Sequence, residues 1–447
     1  MSSPERAADV LATLGADGSR RWLRPKLARG RYLTARSIVG YILVVFFVAM
    51  PFVRIGGHPG IRIDVPGRKL YVLGTIFHAT DTFALMAFLI SAFTTVFLAT
   101  ALVGRGWCGW ACPQTVYLEL VYRPLQRLFE GKGYHRGTPT VAARIVTLAV
   151  YALISFGLGN VFVAYFMGGE GLGRALFESP RLAPTEFTAM LVTSTLVFLD
   201  FAWFREQMCQ VACPYARLQS ALVDKDSLVV AYDAERGEPR GKPKAGMGDC
   251  VDCSACVRAC PAGIDIRNGA QLECIQCAQC ADACDIVMVK LGKPRALVGY
   301  KAPPARRVLR PRVLLYTVII ASAVTSLALF TRGRETFDVT LLRVNGLPYQ
   351  TLPDGTVANA YRLKIENHGE QSLSARLAIE DLAARLIAEQ REVTIAAEDA
   401  RTLNIVVALP AERFEHGSAA LTLKVTAGEA VRDVHLRLIG PMPGATP

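Results

Sequence analysis

All twelve cysteines of this 447-residue chain fall between Cys108 and Cys284, in groups spaced like metal ligands. Eight form two consecutive runs, Cys250-x2-Cys253-x2-Cys256-x3-Cys260-Pro261 and Cys274-x2-Cys277-x2-Cys280-x3-Cys284. Bacterial two-cluster iron–sulfur domains use this spacing, and the fourth cysteine of each run ligates the other cluster. Three thiolates on a tight loop grip three corners of a cube, and the next cysteine starts a helix aimed at the neighbouring cube. The spacing predicts one [4Fe–4S] cluster on Cys250, Cys253, Cys256 and Cys284, and a second on Cys274, Cys277, Cys280 and Cys260. Zinc sites need C-x2-C pairs set farther apart, which two runs of four do not supply. The second run departs in one detail, since Asp285 rather than proline follows Cys284. Two adjacent clusters pass single electrons.

The other four cysteines form two pairs, Trp107-Cys108-Gly109-Trp110-Ala111-Cys112-Pro113 and Met208-Cys209-Gln210-Val211-Ala212-Cys213-Pro214. Both read C-x2-A-C-P, and they repeat at an interval of 101 residues. Proline favours the first turn of a helix, so each second cysteine is expected at a helix N-terminus, where the dipole lowers a thiol pKa. Arg105 and Arg205 sit just upstream and could add to that effect. If each motif is helical throughout, its two cysteines share a face. Four thiolates could then converge, a soft donor set suited to Cu(I), zinc or an iron–sulfur centre, with Met208 as an added thioether. Asp200, nine residues before Cys209, is the one ionisable residue inside an apolar run, and an intramembrane acid is a functional candidate by default. The candidate catalytic set is therefore Cys108, Cys112, Cys209, Cys213 and Asp200.

The elements that must position these residues are membranous. Five apolar runs stand out, Ile38–Val53, Phe83–Val103, Ile145–Gly169, Phe187–Phe204 and Val313–Thr331. Hydrophobic residues make up 52% of the chain and charged ones 20%. That composition excludes a disordered protein, and the clustered cysteines exclude a secreted disulfide scaffold. Segments 1–37, 104–144 and 205–312 carry 31 basic residues, against 6 in loops 54–82 and 170–186. The asymmetry predicts a cytoplasmic N-terminus and an external C-terminal tail. The first run, preceded by 37 residues, reads as an anchor. The net charge of +12 lies mostly beside anionic lipid and needs no nucleic acid. No run contains histidine, which argues against a transmembrane bis-histidine haem. His58 and His78 in the first outer loop could bind metal, while His368, His416 and His435 are expected at the surface. Each C-x2-A-C-P pair precedes an amphipathic stretch, the first with Leu118, Val121, Tyr122, Leu125 and Phe129 opposite Glu119, Arg123 and Arg127.

Beyond Arg334 the apolar period becomes two. Tyr361-Leu363-Ile365, Leu373-Ala375-Leu377-Ile379, Leu403-Ile405-Val407-Leu409, Leu421-Leu423-Val425 and Val434-Leu436-Leu438 read as half-buried strands. Turn signals at Pro353-Asp354-Gly355, Asn367-His368-Gly369-Glu370 and Ala427-Gly428-Glu429 separate them. About seven strands in this length predict an immunoglobulin-like sandwich, with a short helix at Glu380–Gln390 as an alternative for that stretch. The fold class is thus a multi-domain membrane protein, with an α-helical bundle of five spans, an inserted two-cluster ferredoxin domain (α+β) and a C-terminal all-β immunoglobulin-like sandwich. The expected divisions are a basic segment 1–37, a four-span membrane domain 38–223, the ferredoxin domain 224–300, a linker and fifth span 301–331, and the sandwich 332–447.

With these features in place, the chain resembles the CcoG family, also called FixG or RdxA, over nearly its whole length. The resemblance rests on the spans, both C-x3-C-P motifs, the eight-cysteine insert, Gly109-Trp110-Ala111-Cys112-Pro113-Gln114-Thr115-Val116-Tyr117, and the linker Tyr232-Asp233-Ala234-Glu235-Arg236-Gly237-Glu238-Pro239-Arg240-Gly241. It implies a bacterial inner-membrane protein needed to assemble cbb(3)-type cytochrome c oxidase, reducing Cu(II) to Cu(I) for the oxidase copper centre. The expected partners are membrane lipid, oxidase subunits and periplasmic copper chaperones at the sandwich, and a cytoplasmic electron donor of unspecified identity. A homo-oligomer is compatible with the sequence. Two other readings share the spans and cysteines, a ferredoxin-type membrane quinol dehydrogenase and a non-enzymatic scaffold whose clusters sense redox state. The sandwich and the Tyr232–Gly241 linker count against the first. The second predicts no copper reductase activity.

Overall fold

The computed structural model describes Thr13, Asp17 and residues 19–441, apart from 79–80, 225, 243, 245, 270, 303–306, 333–335, 345, 370, 398 and 429. Most of the first 18 residues of the basic segment, part of the linker before the fifth span, and turn residues Glu370 and Glu429 lie outside the described residues. The chain divides into two compact units, Met1–Ala328 and Leu329–Pro447.

In the first unit five helices are long and apolar enough to cross a membrane: Arg31–Ala49, Thr82–Val103, Val141–Phe177, Pro184–Phe204 and Pro311–Phe330. At 1.5 Å per residue, about 20 residues cover a hydrocarbon core of about 30 Å. The first helix starts at Arg31, seven residues before the apolar run, and ends at Ala49 ahead of Pro51. The third runs 37 residues because helical backbone resumes beyond a kink at Gly168, whose φ of 72° only glycine adopts without strain. The fourth widens into a π turn at Asp200–Phe204. Small antiparallel hairpins join the far ends of the first two helices, at Arg54–Ile55 with His58–Pro59 and through Ile61–Asp64, Lys69–Val72 and Thr75–His78.

The near ends of these helices carry the cysteines. Short helices at Gly106–Trp110 and Pro113–Tyr117 lead through a π turn at Leu118–Tyr122 into Arg123–Glu130. This differs from a simple amphipathic surface helix, because the polar face is buried as well. Arg123 has no exposed surface, and its guanidinium pairs with Glu119 and, at 2.9 Å, with Glu206. Burial alone would raise the Glu119 carboxyl, but Arg123, with Arg36 and Arg127, holds it below the usual carboxylate range. Residues Tyr117, Leu118, Tyr122, Tyr151 and Phe201 form the apolar core beside this ion cluster.

The cysteine-rich domain between the fourth and fifth spans is built from the strand pair Val229–Tyr232 and Val298–Lys301 with helices Ala255–Ala259 and Gln279–Lys290. The Tyr232–Gly241 linker folds against it. Asp233 caps a short helix by accepting the Arg236 N–H, and the Arg236 guanidinium reaches Asp249 at 2.6 Å. The basic segment straps this domain to the membrane helices instead of resting only on lipid. Lys26 N–H donates to Arg258 O at 2.8 Å, Arg24 to Tyr134 O at 2.9 Å, and Arg20 and Arg24 face Glu206 and Glu130.

The second unit is a sandwich of two antiparallel sheets. Strands Arg385–Ala388, Ala400–Pro410, Thr356–Asn367 and Phe337–Arg343 lie side by side in that order, with Gln350–Thr351 off the path. The facing sheet runs Glu392–Ile395, Leu373–Ile379, Ser418–Ala427, Ala430–Ile439. Alternate residues, among them Leu363, Ile365, Ile405 and Val407 on one sheet and Leu377, Leu423, Val425 and Leu436 on the other, fill the core. The helix alternative for Glu380–Gln390 is overturned. Arg385–Ala388 is a strand paired with Ala408–Ile405, because Leu386 points into the core while Arg385 and Ile387 point out.

Candidate functional site

Two cavities lie in the cysteine-rich domain. One is lined by Cys250, Cys253, Cys256 and Cys284 with Tyr232, Val287, Met288 and Leu297 among its walls. The other is lined by Cys260, Cys274, Cys277 and Cys280 with Val230, Ile264, Ile266 and Ile275. Each therefore gathers three cysteines of one run and the fourth of the other, the interleaving that the spacing predicts. The loops repeat in backbone as well as in sequence. Asp252 and Ser254 flank Cys253 at φ 54° and 53°, and Gln276 and Ala278 flank Cys277 at 55° and 57°. Alternating right- and left-handed residues turn successive N–H groups inward, a nest that suits an anionic cluster. Burial pushes Cys260 and Cys284 up to about 12 and Cys274 up to about 11. Among the described residues no three cysteine sulfurs lie within 4.8 Å of one another. Four thiolates on one zinc ion, each at about 2.3 Å, would be closer, about 3.8 Å apart. The donors, the nests and the wide spacing fit a cubic iron–sulfur cluster in each cavity.

The two membrane-edge motifs share one local geometry. Cys112 and Cys213 are extended, with ψ 124° and 108°, and each hands over to a helix whose first residue is proline. Each also closes a wide turn, Cys112 N–H to Trp107 O at 2.9 Å and Cys213 N–H to Met208 O at 2.8 Å. The repeat begins earlier still, because Gly104 and Arg205 have nearly the same backbone, φ 56°, ψ −134° and φ 54°, ψ −122°. The motifs are thus not helical throughout, and the proline breaks the helix that would have put both cysteines of a pair on one face.

The expected lowering of the thiol pKa is corrected for Cys112. Burial pushes Cys108 up against the opposing pull of Arg105, and pushes Cys112 up although the Thr115 and Gln114 backbone N–H groups favour its thiolate. Cys209 is pushed up to about 12 by burial and by the neighbouring Cys112 and Cys108. At these buried positions desolvation outweighs the pull of the helix N-terminus. The four thiols are close enough to affect one another's ionisation, but no three of them close onto a single ion. Cys108 donates to Gln219 Oε1 at 2.8 Å, and Gln219, fully buried, donates in turn to Thr100 at 2.9 Å.

This thiol group packs directly against the second cavity. Cys108, Ile275 and Cys277 form one buried cluster with Tyr215 at its edge. A Cβ on Gly109 would stand 2.4 Å from Ile275 O and 2.9 Å from Cys277 N, so only glycine permits this approach. Trp110 Nε1 donates to Tyr300 Oη at 2.7 Å, and Tyr300 to Gln276 O at 2.5 Å. In the second repeat Gln210 occupies the place of Gly109, and it donates to Ala262 O at 3.1 Å. Asp200 is tied to the first motif through Gln114, whose Nε2 donates to it at 3.0 Å and to Arg205 O at 3.1 Å. Sequence reasoning missed Gly109, Gln114 and Gln219, although the first two stand inside or beside the repeated motif. His58 and His78 lie on the hairpins at the far ends of the spans, and neither joins a group of three metal-ligating side chains among the described residues.

Apolar helices of membrane length, joined to cysteine-lined cavities that abut further thiols at the helix ends, define a membrane iron–sulfur electron-transfer protein. Residues 204–303 match the family model of a 4Fe-4S dicluster domain, 85–132 that of a 4Fe-4S binding domain, and 327–441 that of the Ig-like fold at the C-terminal of FixG. The chain is 34% identical to the protein RdxA of Cereibacter sphaeroides, covering 80% of this chain and 82% of that one. It is 31% identical to the nitrogen fixation protein FixG of Rhizobium meliloti, covering 90% and 89%. The crystal structure of a FixG-related protein from Vibrio parahaemolyticus aligns with 24% of this chain and all of its own, at 14% identity and a TM-score of 0.22. The chain belongs to the FixG/RdxA family.

Proposed function

We propose that this protein carries single electrons from its cysteine-rich domain to the thiols at the membrane edge and there reduces Cu(II) to Cu(I), for the copper centre of a cbb(3)-type cytochrome c oxidase. The supporting observation is the buried cluster of Cys108 with Ile275 and Cys277, which sets a cavity cysteine beside the thiol group. Bound in the two cavities, [4Fe–4S] clusters would supply reversible one-electron storage.

The residues divide the work. Cys253, the exposed cysteine of the first cavity, marks the edge nearest solvent, where a cytoplasmic carrier would deliver its electron. Gly109 and Ile275 bring the second cavity into contact with the thiols. Cys108, Cys112, Cys209 and Cys213 favour the soft product ion over the harder Cu(II). In the net reaction one reduced carrier loses one electron and one Cu(II) gains it. Protons displaced from the thiols pass to solvent. Asp200 serves as a positioning residue that orients Gln114 beside Cys112.

In this reading the basic segment and cysteine-rich domain face the cytoplasm of a bacterial inner membrane, and the sandwich faces the periplasm to dock copper chaperones or oxidase subunits. The test is a Cys209→Ser/Cys213→Ser variant in membranes supplied with dithionite and Cu(II). Cupric reduction is expected to vanish while iron per chain stays at the wild-type level; undiminished reduction overturns the site.

A further inference from the structure

We propose that the C-terminal sandwich binds one divalent first-row metal ion through Asp338, Glu366 and His368. One ligand atom from each of these side chains lies within 4.8 Å of the other two. The arrangement follows from register. Asp338 and Glu366 stand directly opposite each other on the antiparallel strands Phe337–Arg343 and Thr356–Asn367. His368 comes two residues after Glu366, and its backbone N–H donates to Thr336 O at 2.9 Å, continuing the pairing. Residues two apart on a strand share a face, so the imidazole belongs to the side that bears both carboxylates.

Like charges directly opposite in a sheet repel, and burial sharpens the cost. Glu366 is only 3% exposed, so water relieves little of that repulsion. Lys364, two residues back on the same face, pairs with Glu366. A divalent cation between Asp338 and Glu366 bridges the two carboxylates and takes the imidazole as its third ligand. Two carboxylates and an imidazole form a hard-to-borderline donor set, suited to Mn²⁺, Fe²⁺ or Zn²⁺ rather than to soft ions. The sandwich contains no cysteine, so this site differs in chemistry from every thiol group in the other unit. Asp338 is exposed, which gives the ion access to solvent and to water ligands.

Mn²⁺ is the probe, because it is hard enough to avoid the twelve thiols. It is titrated into the full-length protein and followed by the room-temperature six-line EPR signal of the free ion. One Mn²⁺ per chain is expected to bind, with Zn²⁺ displacing it. Asp338→Asn and His368→Gln should each weaken binding by about tenfold or more. Thermal unfolding is run in parallel: added Mn²⁺ should raise the midpoint of the wild type and of neither variant. Absent or unsaturable binding by the wild type, or affinity unchanged in both variants, overturns the proposal.

Discussion

The Asp282 carboxylate accepts the backbone N–H of Leu33 at 2.7 Å, so a side chain lying between Cys280 and Cys284 caps the first membrane helix. Tyr32 N–H reaches the other oxygen at 3.1 Å, and Gly30 leaves the room that both contacts need. The orphan N–H groups of a helix start are thereby satisfied by the cysteine-rich domain itself. Removing the cap costs about 1 kcal/mol in ordinary helices, and buried N–H groups left without a partner add to that. Asp282→Ala is expected to lower the unfolding midpoint and the iron retained through purification. Asp282→Asn, which keeps one acceptor oxygen, should lose less. Wild-type values for both quantities in the alanine variant would show that the cap does not couple the two regions.

Gly109→Ala tests the contact between the thiol group and the second cavity. The added methyl meets Ile275 O at 2.4 Å and backbone atoms of Cys277 at 2.9 and 3.0 Å, none of which can rotate away. Such overpacking costs about 1–3 kcal/mol and is relieved by moving the loop off the motif. Cupric reduction driven by a slow one-electron donor should fall, while iron content and cluster absorbance remain. Replacing Gln210, the equivalent residue of the second repeat, with alanine removes two hydrogen bonds, to Ala262 O and from Thr13 Oγ1, but forces no clash, and should have the smaller effect.

Particular residues show what the sequence made legible. The alternation Leu403-Ile405-Val407-Leu409 and the five apolar runs report burial directly, so sheets and membrane helices could be read from them. The interleaving of Cys260 and Cys284 was readable because ligand spacing is local. Glu119, Arg123 and Arg127 misled, since a charged helical face ordinarily meets water, whereas here Glu206 and Arg36 meet it from elements far away in sequence. The thiol pKa values were misjudged for the same reason. A helix N-terminus is visible in a C-P dipeptide, but the burial that outweighs it arises only when Gln219, Thr115 and Ile275 pack around the motif.

The buried ion cluster beneath that motif gives a stability prediction. Arg123 is fully buried between Glu119 and Glu206. Deleting one partner of a buried pair leaves an uncompensated charge and costs about 3–5 kcal/mol, far more than the pair contributes against an apolar replacement of all its members. Arg123→Met should therefore abolish or severely reduce folded protein in membranes. If the single variant accumulates and unfolds like wild type, the three charges are not mutually dependent.

On the proposed function, the raised thiol pKa values would make Cu(I) retention depend on pH, with a definite sign. Burial favours the neutral thiol of Cys209, pushed up to about 12 from an ordinary 9.0, so it is protonated at pH 7 before any ion arrives. The folded value lies above the unfolded one, so this burial contributes stability that is full below about pH 9 and is lost as pH climbs toward 12. Ion binding works in the opposite direction, since a thiolate ligand must first shed its proton. Below the thiol pKa, each proton displaced raises the apparent Cu(I) affinity about tenfold per pH unit. Competition against a Cu(I) chelator at pH 6.5 and 7.5 should therefore show a gain of about one decade for each thiolate engaged, and Cys209→Ser should remove one decade from that slope. An affinity flat across this interval would mean that the ion is held without proton release, and hence not by these buried thiols.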